Sequence, residues 1–107
     1  MSEIGRTLWT QVKARLSANL AELREEVRAY PTPIARCDDQ LPKLLDRRAA
    51  AQRRVRLAED QVVDGFDDAR LAALIEEFTG GDDDDPELAA LRREARALLT
   101  RRVGSGA

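Results

Sequence analysis

The sequence predicts an all-α protein: a long antiparallel helical hairpin with two shorter C-terminal helices packed on it as a helical bundle. Apolar residues recur three or four positions apart through most of the chain, which is the period of an amphipathic helix. Aromatic residues make up only 4% of the sequence, so leucine, alanine and valine must form the core, as in helix-on-helix packing. Proline and glycine separate the helical segments.

The first predicted helix runs from about Glu3 to Ala29, with Ser2 as its N-cap. At a rise of 1.5 Å per residue it is about 40 Å long, which is more than the shorter helices can cover. We therefore expect a second copy or another protein to cover the remainder. Its apolar positions form one continuous stripe: Ile4, Leu8, Val12, Leu16, Leu20, Leu23, Val27 and Tyr30.

A proline elbow over residues 30–36 ends the first helix and forms the corner of the hairpin. The second helix begins near Asp38 or Asp39, carries Pro42 in its first turn and runs to about Val63. Arg48 falls within its apolar stripe and must reach solvent, pair with an acid or face a ligand. The stripe consists of Leu41, Leu44 or Leu45, Arg48, Ala51, Val55, Ala58 and Val62.

Two shorter helices follow a break at Asp64 and Gly65. Asp67 is the predicted cap of the third helix, with Phe66 packing on Leu71, and this helix stops at Gly80. Asp85 caps the fourth helix and Pro86 occupies its first position. The predicted core positions are Leu71, Leu74, Ile75, Phe78, Leu88, Leu91, Ala95, Leu98 and Leu99. Residues 1–103 are predicted to form a single helical domain, and residues 104–107 a disordered tail.

The composition argues against an enzyme and predicts no cofactor, metal or catalytic residue. The chain has no histidine, and Cys37 is its single cysteine. These absences remove the commonest general base, cysteine-based zinc sites and intrachain disulfides. The acidic run over residues 82–85 lacks the ligand spacing of a calcium loop and is interpreted as a solvated loop. We find no signal peptide and no membrane span, so the expected location is the cytoplasm.

The net charge of −2 conceals a strong segregation of charge. Residues 36–56 carry seven basic and three acidic side chains, and residues 57–91 carry one basic and twelve acidic ones. We interpret the arginines as a solvated face that pairs with the acidic third helix and loop. Nucleic-acid binding through the second helix, with Arg47 and Arg54 on one side, is the alternative. No helix-turn-helix, zinc or aromatic ribonucleoprotein motif accompanies these arginines.

One stretch of the second helix resembles a known enzyme family. Residues 38–48 are similar to the start of the all-helical chorismate mutases, in which an Asp-x-x-Leu-x-x-Leu-Leu-x-x-Arg sequence places an arginine on the substrate carboxylate. The resemblance implies a carboxylate contact for Arg48. The chain departs from the family at the prolines that interrupt this region and at Glu59, where the family has a lysine. The matching positions are Asp38, Leu41, Leu44, Leu45 and Arg48.

The pattern as a whole favours a small non-enzymatic interaction module, such as an adaptor, an assembly factor or a chaperone-like subunit. A homodimer or another protein is the expected partner. Trp9, next to Leu8 at the edge of the first stripe, is either an anchor at the edge of the core or a partner contact. The candidate partner or ligand contacts are Trp9, Tyr30, Arg47, Arg48 and Arg54.

Overall fold

A computed structural model describes residues 2–30, 40–80 and 85–105, with side chains as far as Thr100. The described residues form four helices and no strand, so the all-α prediction is confirmed. The predictions for the proline elbow, Cys37, the cap of the second helix and residues 82–84 fall outside the described residues. The helices are α1 (Glu3–Ala29), α2 (Gln40–Glu59), α3 (Asp68–Thr79) and α4 (Pro86–Ser105).

Helix α1 has the predicted bounds because both of its ends carry local signals. The Ser2 side chain accepts a hydrogen bond from the Gly5 amide at 3.0 Å and satisfies one of the donors exposed at the first turn. Tyr30 has extended backbone angles, as expected for a residue that precedes a proline. Its amide donates to the Val27 carbonyl at 3.3 Å and ends the helix.

The main hydrophobic core forms where α3, α4 and the end of α2 pack on the first half of α1. We call this part of the molecule the base. It contains all the predicted core positions of α3 and α4, either buried or half-buried. The buried members of the cluster are Leu8, Trp9, Val12, Leu16, Ala58, Leu71, Ala72, Leu74, Ile75, Phe78, Leu88 and Ala95.

Helix α2 ends at Glu59, four residues before the predicted end near Val63. The Gln61 amide donates to the Ala58 carbonyl at 3.3 Å, which tightens the last turn. Val62 and Val63 are β-branched and therefore weak helix formers, and the Val63 carbonyl accepts from the Phe66 amide at 2.9 Å in a turn. The predicted place of Val62 in the apolar stripe is wrong, because 76% of this residue is exposed.

The predicted caps of α3 and α4 are confirmed. The Asp67 carboxylate accepts from the Arg70 amide at 2.8 Å, and α3 stops at Gly80. Phe66 packs on the core cluster that contains Leu71. The Asp85 carboxylate accepts from the Glu87 and Leu88 amides at 2.9 and 3.1 Å. The single-domain assignment over residues 1–103 and the disordered tail over residues 104–107 stay predictions.

The N-terminal ends of α1 and α3 meet at one buried carboxylate. Asp68 is 7% exposed and accepts a hydrogen bond from the Ser2 amide at 2.8 Å. Gly5 permits this approach, because a β-carbon there would lie 2.9 Å from Leu71 Cδ2 and 3.1 Å from Asp68 Oδ1. Ile4, predicted to be part of the stripe, is 53% exposed instead. The reason is that the face of α1 at Gly5 packs on α3, and Ile4 lies about 100° around the helix from Gly5.

Candidate functional site

The hairpin of α1 and α2 extends beyond the base as an arm, which we define as residues 20–30 of α1 and 40–51 of α2. The molecule measures 64 × 23 × 16 Å, and its radius of gyration is 17.0 Å. A compact domain of this length has a radius of gyration of about 13 Å. The excess length indicates that part of the hairpin receives no cover from α3 and α4.

The arm buries little of its apolar surface. Leu20 and Leu44 are its only buried residues in the described part of the chain, at 5% and 9% exposure. Two helices bury one shared seam, and the flanks of that seam remain open to solvent. The large half-buried apolar residues are Leu23, Val27, Tyr30, Leu41 and Leu45, which we call the arm stripe.

One side of the hairpin holds a groove of about 490 Å³ between α1, α2 and the start of α4. The α1 wall is polar, with Arg15 and Asn19 near the start of α4 and the acidic residues Glu22 and Glu26 farther along the helix. The α2 wall is basic, with Arg47 and Arg54. The floor between the walls is apolar and consists of Leu16, Leu23, Ala50 and Ala51.

The groove is closed at its base end by a network around Asp85. The Asn19 side-chain amide donates to Asp85 Oδ2 at 2.6 Å, and Arg15 Nε donates to the same oxygen at 3.1 Å. Glu87 lies 3.5 Å from Arg15 Nε and adds a second acidic partner. Because Asp85 also caps α4, the same carboxylate ties the beginning of that helix to α1.

The network holds Asp85 in its ionised form. Burial of the carboxylate opposes ionisation, but hydrogen bonds from Asn19, the Leu88 amide and Arg15 outweigh it, and the pKa of Asp85 is lowered. For Arg15, desolvation favours the neutral form, but the hydrogen bond to Asp85 together with the negative charges of Asp85, Glu87 and Glu22 outweighs it, and the pKa of Arg15 is raised. The groove therefore ends in a fixed ion pair over the pH range in which proteins normally work.

The structure places Trp9 in the core of the base, where it is 2% exposed. Its ring meets Phe78 edge-on with 5.6 Å between centroids, and Lys13 Nζ lies 5.9 Å from the ring centroid. Of the two interpretations offered by the sequence, this position corresponds to a core anchor. The indole Nε1 is buried and has no hydrogen-bond partner among the described groups.

The other predicted contact residues all lie on the arm or at its junction with the base. Arg47 and Arg54 are seven residues apart and line the same groove, where they share the space with Glu22 and Glu26 of α1. The expected counterpart was the acidic third helix and loop, and Asp85, the last residue of the acidic run over residues 82–85, lines the same groove. Arg48 is half-buried about 100° around α2 from Arg47. Tyr30 is half-buried at the end of α1.

The sequence interpretation did not single out most of the α1 side of the groove. Arg15, Asn19, Glu22 and Glu26 are spaced by four, three and four residues, which places them along one face of α1. This polar stripe runs beside the apolar stripe of α1, and its spacing could have been recognised from the sequence. Asp85 was assigned only as a cap, and its link to α1 required the folded arrangement.

The residue types at the groove can form ion pairs and hydrogen bonds. Within the ranges that the structure describes, no group of three or more histidine, cysteine, aspartate or glutamate side chains is placed to hold a metal ion. In the same ranges, every helix is too short or too polar to cross a membrane. Comparisons with protein-family models, curated proteins and solved structures returned no match.

Proposed function

We propose that this protein is a helical protein–protein interaction module that binds its partner through the arm. The observation that carries the proposal is the half-buried arm stripe at the end of a molecule 64 Å long. A role as an adaptor, an assembly factor or a chaperone-like subunit, acting in the cytoplasm, is consistent with this arrangement.

The physical support for this proposal is that the arm is firmly anchored, whereas its apolar side chains are only partly buried. The arm is anchored because α1 continues without interruption from the core of the base to Ala29. Its half-buried apolar side chains would lose further contact with water if a partner packed against them. Apolar burial contributes about 25 cal/mol per Å² before the cost of association is subtracted, so the affinity depends on how much of the arm stripe a partner covers.

The arginines of α2 support a protein partner better than a nucleic acid. Arg47 and Arg54 share their groove with Glu22 and Glu26, so the local field has both signs. A phosphate backbone is attracted by several cations on one face and repelled by carboxylates among them. Mixed charge beside apolar residues is common at protein interfaces.

The test is partner capture with the purified chain, comparing the wild type with Leu45→Lys in the arm stripe. We expect the wild type to enrich a protein from the cell that makes it, or to dimerise, and Leu45→Lys to weaken that binding about tenfold or more. A buried lysine without a counter-charge accounts for such a loss. The enriched protein is then purified, and its dissociation constant is measured by calorimetry.

Ala73→Lys is the matched control, because it adds the same charge at an exposed position of α3 in the base. It should bind like the wild type. Circular dichroism must show that both variants are as helical as the wild type. Equal binding by the two variants, or a wild-type chain that stays monomeric and enriches nothing, would contradict the proposal.

A further inference from the structure

We infer that the groove between α1, α2 and the start of α4 receives a helix of a partner protein that has basic side chains along one edge and acidic side chains along the other. This inference rests on the proposed function and identifies the binding site and the chemistry of the partner. The wall residues Glu22, Glu26, Arg47 and Arg54 carry the argument for charge.

The size of the groove fits a short helix. Its lining extends along α1 from Arg15 to Glu26, which is about 16 Å at the rise of an α-helix. A helix of about three turns has the same length. Asp85 and Pro86 close the end at the base.

The floor allows close approach. Ala50 and Ala51 present only methyl groups, so a partner helix can come near the backbone of α2. Leu23, which is half-buried, supplies the apolar surface on the α1 side. Leucine or methionine side chains of the partner can fill the space above the two alanines, as in helix-in-groove recognition.

The groove continues an interface that already exists within the chain. Helix α4 packs on α1 in the base, and its cap Asp85 and its first residue Pro86 form the end of the groove. Beyond this point α4 no longer covers α1. A partner helix in the groove would take the place beside α1 that α4 occupies lower down, and would add a third helix to the arm.

Charge complementarity specifies the polar edges of the partner. Glu22 and Glu26 are exposed on one wall and favour lysine or arginine along the facing edge. Arg47 on the other wall favours aspartate or glutamate, which arginine can bind through two parallel hydrogen bonds. Arg54 adds positive charge to the same wall. A helix with the same charge on both edges meets repulsion at one wall.

The test uses three synthetic 14-residue peptides that share a leucine stripe and a hydrocarbon cross-link on the solvent side to keep them helical. The first has lysine on one edge and glutamate on the other, the second has lysine on both, and the third has glutamate on both. Exchanging the two edges of the first peptide is no control, because a helix inserted in the opposite direction restores the match. Binding to the full chain is measured by fluorescence anisotropy at low and high salt.

We expect the wild type to bind the mixed peptide at least about tenfold more tightly than either uniform peptide, and this preference to shrink in high salt. The double variant Arg47→Glu with Arg54→Glu makes both walls acidic, so its preference should change to the lysine peptide. The double variant Glu22→Lys with Glu26→Lys should prefer the glutamate peptide.

Arg53→Glu with Arg56→Glu is the matched control, because it makes the same charge change on α2 outside the groove lining. It should keep the preference of the wild type. Absent binding, equal binding of all three peptides, or unchanged preference in the groove variants would overturn the inference. Sedimentation of the wild type as a dimer that excludes the peptides would also overturn it. The proposed function has its own test in Leu45→Lys. It stands if that variant loses binding to the partner, even when the protein shows no preference among the three peptides.

Discussion

Leu16 and Leu23 lie seven residues apart on the same face of α1, yet their environments differ. Leu16 is in the base, where it is 3% exposed and packs in the core cluster with residues of α3 and α4. Leu23 is in the arm, where it is half-buried. The residue type and the helix are the same, so the difference comes from the number of helices that cover the position. An apolar stripe indicates which face is buried, but its burial depends on what lies opposite.

Leu16→Ala and Leu23→Ala test this contrast directly and should give the largest difference. We expect Leu16→Ala to lower the free energy of unfolding by about 2–5 kcal/mol, because it leaves a cavity in a packed core. Leu23→Ala should cost about 1 kcal/mol, because less apolar surface is lost and water fills the space. The measurement is urea unfolding followed by circular dichroism. Equal costs would show that the arm is as well packed as the base.

Gly5→Ala sharpens the comparison by testing how tightly the base is closed. A helix interior normally gains stability from this change, by about 1 kcal/mol. Here the new methyl group would lie 2.9 Å from Leu71 Cδ2, so either the buried Leu71 side chain must shift within the core or α1 and α3 must move apart. We expect a net loss of about 1–3 kcal/mol in thermal unfolding.

Gly65→Ala is the control for Gly5→Ala, because a β-carbon at Gly65 would meet nothing within 4 Å. It should change stability by about 0.5 kcal/mol or less. A stabilised Gly5→Ala variant would show that α1 and α3 are packed less closely at Gly5 than these distances indicate.

Asp85→Ala tests the point at which the base meets the groove, and should have the smallest effect of the three. Loss of the α4 cap and of the contacts to Arg15 and Asn19 should cost about 1–2 kcal/mol at neutral pH. The pKa of Asp85 is lowered in the folded state, so its contribution is present above the unfolded pKa of about 3.9.

The pH dependence of this cost provides an internal check. Wild-type Asp85 loses its contribution to the free energy of unfolding as the pH falls below the pKa of the unfolded carboxyl and passes through the lower pKa of the folded state. The difference in stability between wild type and Asp85→Ala should therefore be constant near neutrality and shrink in strong acid. Unfolding in urea at a series of pH values measures it. A difference that does not change with pH would show that the ionised carboxylate contributes nothing.

The helices could be predicted from the sequence because their end signals are local. Ser2, Asp67 and Asp85 each cap a helix through an amide two or three residues away, so the neighbouring sequence contains the whole interaction. Ile4 and Val62 were predicted incorrectly for the opposite reason. Their positions fit the period, but whether they are buried depends on the close contact at Gly5 and on the early end of α2.

The groove was only partly predictable. Arg47 and Arg54 were recognised as sharing one side of α2, because their spacing of seven residues is a local property. Their position opposite Glu22 and Glu26 depends on the rotation and register of α2 against α1. Many small packing contacts determine that register, and the sequence of neither helix specifies it alone.

The continuous α1 has a spectroscopic consequence. The single tryptophan of the chain, Trp9, lies against Phe78 in the base, and the single tyrosine, Tyr30, lies at the far end of the arm. They are separated by about 32 Å along one helix. Tryptophan emission therefore reports the core of the base, and tyrosine absorbance reports the end of the arm. The unmodified protein carries a separate optical probe for each of its two parts.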